Sequence, residues 1–166
     1  WISNYEESLV YRYKLDNSGD SLITFAGVQN PRDIVPDPLE GGCWVATKAG
    51  ITLIFDDESI SVYKDSMNIK DISLNAVNGD CYYVGKNLNT GQWETGRLST
   101  QESLQDEIIL GNDYPYLHSI QVVPGQGPRG FLVSQAYAWK LLRFDHQGQT
   151  IGTMTGFNAR LDFALE

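Results

Sequence analysis

The feature that most constrains this chain is a fourfold internal repeat. Four segments open with a bulky apolar residue, a β-branched residue and a small residue, and they start at Trp1, Trp44, Tyr83 and Leu132. Their spacing of roughly 40 to 50 residues is typical of architectures in which one supersecondary unit recurs and each unit buries its apolar face against its neighbours. We therefore divide the chain into a single domain of four units, approximately 1–43, 44–82, 83–131 and 132–166.

Each unit contains four short apolar runs separated by turn residues. The run after the opening segment closes with an aspartate in three units, at Asp16, Asp56 and Asp145, and turn-forming residues follow it. Asp, Asn, Ser and Gly between short apolar runs predict strands joined by turns. No 12-residue helical stripe occurs, and we expect the one helix candidate, Ser99 to Glu107, to be a loop excursion with at most a turn or two of helix. The fold prediction is all-β.

The last run of each unit carries the strongest internal match, over residues 30–35, 68–73, 116–121 and 158–163. A cationic or titratable residue stands at the same position of all four runs. These residues are Arg32, Lys70, His118 and Arg160.

Four strands repeated at this period are the pattern of a β-propeller blade. The stretch 43–51, followed by Phe55-Asp56 and then by 68–72, resembles the blades of two-component-regulator and NHL-like propellers, and 13–16 through 31–34 resembles the NHL variety. The resemblance implies either a closed four-bladed ring or four consecutive blades of a ring of six to eight. Closure would pair the strand at 160–165 with the strand at Trp1, whereas an open arc would expose a strand edge and an apolar face that favour self-association.

In a propeller the run that carries Arg32 would be the innermost strand, whose start lies at one mouth of the central channel. The four aligned residues would then meet there as a ring of positive charge, which suits a carboxylate, a phosphate or an acidic peptide. Arginines could fork onto a carboxylate, and His118 could respond to pH. The alternative is that these side chains are solvated or pair with neighbouring acids such as Asp33, Asp71 and Asp162.

The aromatic residues fall into two groups. Trp1, Trp44 and Tyr83 share one repeat position, which predicts that they form the core between blades. The others lie near turns or outside the repeat anchors, where packing of loops is favoured and stacking on a partner or a glycan is the alternative. They are Trp93, Tyr114, Tyr116, Tyr137 and Trp139.

Composition excludes several functions. The chain has 12 Lys and Arg against 21 Asp and Glu, a formal net charge of −9, which argues against nucleic acid and anionic membranes as partners. It contains no apolar run long enough to span a bilayer.

We also expect no cofactor. The acidic clusters at 16–20, 56–58 and 106–107 offer oxygen ligands for a structural calcium ion, but none has the EF-hand order, so solvated turns are the preferred interpretation. Cys43 and Cys81 occupy equivalent strands of successive units, too far apart for a disulfide, and are predicted to be buried thiols.

The leading functional hypothesis is a non-enzymatic binding or assembly module that presents loops and a cationic channel mouth to a protein partner or an acidic small ligand. The resemblance implies an extracytoplasmic location, because members of that class are often sensor or surface domains. Two alternatives belong to other classes of protein. One is a lactonase-like or lyase-like enzyme with His118 as a weak catalytic candidate, and the other is a structural subunit that polymerises through its blade edges.

Overall fold

The structure is a computed structural model that describes residues 1–14, 21–99, 105–111, 113–123 and 130–156. These residues form β-strands joined by turns, with no α-helix among them. The strands are β1 (Ile2–Asn4), β2 (Leu9–Lys14), β3 (Ser21–Ala26), β4 (Pro31–Pro36), β5 (Cys43–Thr47), β6 (Ile51–Ile54), β7 (Ile60–Tyr63), β8 (Met67–Leu74), β9 (Cys81–Asn87), β10 (Trp93–Ser99), β11 (Gln105–Leu110), β12 (Leu117–Val122), β13 (Phe131–Gln135), β14 (Lys140–Phe144) and β15 (Thr150–Met154).

The strands form four consecutive antiparallel sheets in which chain neighbours are always paired. Sheet 1 contains β1 to β3, sheet 2 contains β4 to β7, sheet 3 contains β8 to β11, and sheet 4 contains β12 to β15. Short turns between successive strands favour this up-and-down order. The prediction of an all-β chain built from four strand-rich units, arranged like propeller blades, is therefore confirmed. Sheet 1 has three described strands and the other sheets have four.

The sheets begin one strand earlier than the sequence repeats. The repeat anchors at Trp44, Tyr83 and Leu132 lie in β5, β9 and β13, which are the second strands of their sheets. The first strands, β4, β8 and β12, lie beside one another from sheet to sheet. The run that carries the aligned cations is thus the innermost strand, and the predicted pairing of the 160–165 strand with the strand at Trp1 lies outside the described residues.

Adjacent sheets bury their facing side chains in three separate cores. Val10 and Phe25 of sheet 1 pack against Cys43 and Val45 of sheet 2. The core between sheets 2 and 3 is built around Trp44, Ile51, Ile69 and Tyr83. The core between sheets 3 and 4 is built around Tyr82, Leu117, Phe131 and Phe144.

The core prediction for the repeat-anchor aromatics is confirmed. Trp44 and Tyr83 are completely buried. Trp1 is half-buried and packs on Phe25, with ring centroids 5.6 Å apart.

Carboxylates on the innermost strands join one sheet to the next. Asp33 in β4 accepts a hydrogen bond at Oδ2 from the Ile72 amide in β8, at 3.2 Å. Asp71 in β8, at the equivalent position, accepts at Oδ2 from the Ile120 amide in β12, at 2.7 Å. An amide between two sheets has lost water, so a charged acceptor at this point satisfies it and fixes the offset between the sheets.

Two of the acidic clusters contain ion-paired residues. Residues 56–58 form an exposed turn, as the sequence predicts, whereas Asp106 lies in β11. The Arg12 guanidinium in sheet 1 is buried and bonds Asp56 Oδ1 at 3.0 Å and Glu58 Oε1 at 3.2 Å in sheet 2. Asp106 in sheet 3 bonds Lys64 Nζ at 2.7 Å, and Lys64 follows β7 of sheet 2. The cationic partners come from distant segments of the chain, so the clusters looked unpaired in the sequence.

The segment Ser99 to Glu107 departs from the loop expected there. Ser99 ends β10, and Gln105–Leu110 forms β11, so the described ends of this segment are strand; residues 100–104 lie outside the described part of the chain. The strand holds Asp106 where it accepts a hydrogen bond from the Tyr83 hydroxyl at 3.0 Å. Gly96 allows this approach, because a Cβ there would lie 2.3 Å from the Tyr83 hydroxyl oxygen.

Cys43 and Cys81 are free thiols with no exposed surface, as the sequence predicts. Burial raises the pKa of the Cys43 thiol from its ordinary value of 9.0 to about 12, and burial also raises the pKa of Cys81. Both thiols therefore behave as small apolar groups.

Removing one inter-sheet acceptor should destabilise the fold measurably. The variant Asp33→Ala leaves the Ile72 and Ile34 amides without their carboxylate partner. We expect a loss of about 1–3 kcal/mol in the free energy of unfolding, measured by urea denaturation. Asp65→Ala, at an exposed turn position, is the control and should change stability by less than about 0.5 kcal/mol. Equal effects of the two variants would contradict the inter-sheet role.

The buried thiol makes stability depend on alkaline pH. In the unfolded chain Cys43 releases its proton near pH 9, while in the folded chain it keeps the proton to about pH 12, so unfolding is increasingly favoured as pH rises through this window. The full effect is about 1.4 kcal/mol per pH unit. Cys43→Ala should therefore flatten the fall in the free energy of unfolding between pH 8 and pH 10.5, in urea titrations at several pH values. An unchanged slope would contradict the assignment.

Candidate functional site

The three described residues of the aligned set, Arg32, Lys70 and His118, share a local structure. In sheet 2, Pro31 pairs with Thr47 and Asp33 pairs with Ala46, so Arg32 is an extra residue in its strand. The same register shift makes Lys70 the extra residue between Ile69 and Asp71 in sheet 3. It also makes His118 the extra residue between Leu117 and Ser119 in sheet 4. Each is the inserted residue of a β-bulge, a device that locally turns a side chain away from the regular alternation of a strand.

All three bulge residues line one cavity. It has a volume of about 1120 Å³ and lies where β4, β8 and β12 begin. The sequence prediction that Arg32, Lys70 and His118 meet at the mouth of the inner strands thus agrees with their placement. Arg160 lies outside the described residues, and its part in this site stays a prediction.

Arg32 also holds two sheets together at the mouth. Its Nη1 donates to Asn68 Oδ1 at 2.7 Å and to the Ile69 carbonyl at 3.4 Å, both in β8. A guanidinium has five N–H donors, more than these two bonds use. Arg32 therefore has a fixed position and keeps donor capacity toward the cavity.

His118 is half-buried beside Ser119, with Nδ1 and Oγ 3.0 Å apart. The Ser119 amide donates to Ser134 Oγ at 3.1 Å in the neighbouring strand β13. Ser119 itself is only 2% exposed. The serine is thus held within sheet 4, while the imidazole borders the cavity.

The lining is not uniformly positive, because Asp33 and Asp71 border the same cavity. These carboxylates are bound to the amides that join the sheets, as described above, and Asp33 also accepts from the Ile34 amide at 2.9 Å. Positive and negative groups are therefore interleaved along the inner strands, and the two aspartates are among the acids that the alternative interpretation names as neighbours of the cations.

An aromatic wall, which we define as Tyr5, Trp93, Tyr116, Tyr137 and Trp139, borders the cavity. Tyr116 lies in the middle of three of them: its ring centroid is 4.8 Å from that of Tyr137, edge to face, and 6.1 Å from that of Trp93. Tyr137 is 75% exposed and Trp139 is 44% exposed. Packing within loops, the preferred interpretation from sequence, describes the contact of Tyr137 with Tyr116, but large parts of the Tyr137 and Trp139 side chains stay exposed.

The strand order explains why these aromatics lie together. The innermost strands begin at the mouth and run away from it, so the antiparallel second strands end there, and the turn to each third strand lies at the mouth. Tyr137 and Trp139 belong to that turn in sheet 4, and Trp93 follows it in sheet 3. This topological signal was present in the repeat and would have separated the wall from Tyr114, which packs edge to face on Phe144 in the core.

Two wall residues have an unfavourable backbone conformation. Tyr116 has φ 63° and Trp139 has φ 49°, in the left-handed region that bulky side chains rarely adopt. Such conformations cost about 1–3 kcal/mol each. Ser8, Asn30 and Ser66, which immediately precede β2, β4 and β8, share this conformation, so it belongs to the turns of the repeat.

The other histidine joins sheets 3 and 4 away from this cavity. His146 Nδ1 is 2.9 Å from the Tyr82 hydroxyl, and burial raises the pKa of Tyr82. Within the described residues, no group of three or more His, Cys, Asp or Glu side chains could hold a metal ion. The described residues contain no helix that is long and apolar enough to cross a membrane.

The fold and site together define a class: an all-β protein of consecutive antiparallel sheets with one mixed polar and aromatic cavity at the start of its inner strands. No model of a known protein family matches the chain, and no curated protein matches it. A similar solved structure is the crystal structure of an auxiliary nutrient binding protein from Bacteroides thetaiotaomicron VPI-5482, with a TM-score of 0.55 and 14% sequence identity. The match covers 93% of this chain and 41% of that one, so this chain spans well under half of that protein's length. At this identity the likeness shows the fold.

Proposed function

We propose that this chain is a non-enzymatic binding module of β-propeller type, with blades of the NHL-like or two-component-regulator kind, that takes an acidic ligand at the cavity described above. The observation that carries the proposal is the β-bulge that recurs in sheets 2, 3 and 4 and places Arg32, Lys70 and His118 around one cavity. A β-bulge interrupts the hydrogen-bond ladder of its strand, and here a bulge recurs at one position of three sheets. A ligand shared by the three bulge residues would account for this recurrence.

The structural neighbour supports a binding role, since that protein is an auxiliary nutrient binding protein. The proposed ligand is a carboxylate or phosphate compound or the acidic part of a protein partner. The proposed location is extracytoplasmic, which rests on the resemblance of the blades to sensor and surface domains. No cofactor is part of the proposal.

A hydrolytic or lyase role for His118 is a weaker candidate. The pairing of His118 Nδ1 with Ser119 Oγ resembles the start of a nucleophile–base pair, but a nucleophile must reach its substrate and Ser119 is 2% exposed. The geometry favours binding over turnover.

A second candidate function, self-association, has an observation of its own. The face of sheet 1 that points away from sheet 2 carries three exposed apolar side chains, Ile2 at 59%, Tyr13 at 49% and Leu22 at 60%. Pairing of Tyr13 with Leu22 places their side chains on this face, and the alternate positions Val10 and Arg12 face sheet 2. Exposed apolar patches of this kind mark interaction sites, and a second copy of the chain is the proposed occupant.

Self-association would appear in the solution mass. Light scattering should give a mass above 18.6 kDa at micromolar concentration, and Leu22→Lys should shift the chain toward the monomer because it places a charge on the apolar face. A wild-type monomer at high concentration would contradict this candidate and would leave the binding proposal unaffected.

Ligand binding should depend on the bulge cations. The double variant Arg32→Gln, Lys70→Gln should weaken the binding of citrate and of inorganic phosphate at least 10-fold in isothermal titration calorimetry, because two charge-assisted hydrogen-bond donors are lost. The control is Lys14→Gln, Arg143→Gln, which makes the same change in net charge at residues that do not line the cavity.

The two double variants separate a site from a general charge effect. Equal loss of affinity in both would mean that net charge, not the cavity, governs binding. Wild-type affinity in the Arg32 and Lys70 variant would overturn the proposed function. Thermal melting of each variant checks that loss of the Arg32 contact with Asn68 has not unfolded the chain.

A further inference from the structure

We infer that the cavity is a binding site for an acidic oligosaccharide, in which the aromatic wall stacks on sugar rings and the bulge cations bind a ring carboxylate. This inference deepens the proposed function and rests on it. The aromatic wall is the evidence that the ligand is a sugar, and the bulge cations are the evidence that the ligand is acidic.

The aromatic wall is chemically suited to stack on sugar rings. One face of a pyranose ring consists of C–H groups that neighbouring oxygens make slightly positive, and the face of an aromatic ring is slightly negative, so the two attract and exclude water. Tyr137 and Trp139 present this surface to solvent, being 75% and 44% exposed. They lie in one turn, between β13 and β14, and border the same cavity as Trp93 and Tyr5.

A ring contact inside the aromatic wall restrains one of its exposed members. The edge-to-face contact of Tyr116 with Tyr137, at 4.8 Å, limits the motion of the exposed ring and reduces the entropy lost on binding.

The floor of the cavity fits the hydroxyl groups of a sugar. A hydroxyl donates and accepts, so it is best bound by interleaved donors and acceptors rather than by one sign of charge. The lining supplies this mixture through Arg32 and Lys70 as donors, Asp33 and Asp71 as acceptors, and His118. An acid without hydroxyl groups offers no donor to the two aspartates, whereas a sugar acid does, so the mixed lining favours a sugar acid over a simple anion.

The dimensions indicate more than one ring. A volume of about 1120 Å³ exceeds the range of roughly 300–1,000 Å³ that is usual for sites of drug-sized ligands. The wall also extends over residues of sheets 1, 3 and 4, so a single ring could not contact all of it. Two or three linked rings would span it.

The test uses uronic acid trisaccharides, namely those of glucuronate, galacturonate and mannuronate, and the matching neutral trisaccharides of glucose, galactose and mannose. Citrate serves as a carboxylate without a sugar ring. We expect at least one uronate trisaccharide to bind the wild-type chain at least 10-fold more tightly than its neutral counterpart and at least 10-fold more tightly than citrate, by isothermal titration calorimetry.

Two variants separate the wall from the cations. Tyr137→Ala, Trp139→Ala should weaken binding of that trisaccharide at least 10-fold and leave citrate affinity within 2-fold. Arg32→Gln, Lys70→Gln should weaken both. The control is the double truncation Leu39→Ala, Leu88→Ala, at two exposed apolar side chains that lie outside sheet 1 and do not line the cavity.

Each result decides the matter. Unchanged trisaccharide affinity in the Tyr137 and Trp139 variant, or uronates that bind no better than neutral sugars or citrate, would overturn the inference. Citrate and phosphate binding that still depends on Arg32 and Lys70 would then leave the proposed function in place. Failure of every anion to bind the wild-type chain would overturn both. Both aromatic side chains are exposed, so their removal should not unfold the protein, and thermal melting verifies this.

Discussion

The structure depends on the hydrogen bonds by which a carboxylate of one inner strand binds an amide of the next. Asp33 with Ile72, and Asp71 with Ile120, repeat one contact at one position of successive sheets. Apolar packing between sheets is strong but tolerates sliding, since it is not directional. A charged acceptor on a backbone donor is directional, so these contacts set the offset at which the cores between sheets 2 and 3 and between sheets 3 and 4 close. The bulges that precede them then fall at one level.

This arrangement couples the fold to the site. Asp33 and Asp71 immediately follow the bulge residues Arg32 and Lys70, so the groups that lock the sheets also fix the strand on which each cation stands. Arg32 also joins neighbouring sheets, because it donates a hydrogen bond to Asn68 of the next sheet. The proposed ligand would therefore meet side chains whose positions are largely determined before binding, which would lower the entropy lost on association.

Much of this could be predicted from the sequence, because the repeat compares four versions of one local environment. Alternation and turn residues predict the strands, and alignment of Arg32, Lys70 and His118 predicts that they meet. The bulge could not be predicted, since a register shift depends on the partner strand. The partners of Asp56 and Asp106 were also missed, because Arg12 and Lys64 are more than 40 residues away and only stacking of the sheets brings them close.

The aromatic wall shows where topology could have added to pattern. Tyr5, Trp93 and Trp139 have no common motif, and in a linear view each is an isolated aromatic near a turn. Antiparallel order places the turn after every second strand at the same end of the sheets as the bulges, so these residues converge with the cations for a geometrical reason. The wall is strongest in sheets 3 and 4, whereas the corresponding turn of sheet 2 contains Lys48 and Ala49. The cavity is therefore asymmetric, with an aromatic side and a polar side, and a ligand with one apolar face and one charged edge matches it in a single orientation.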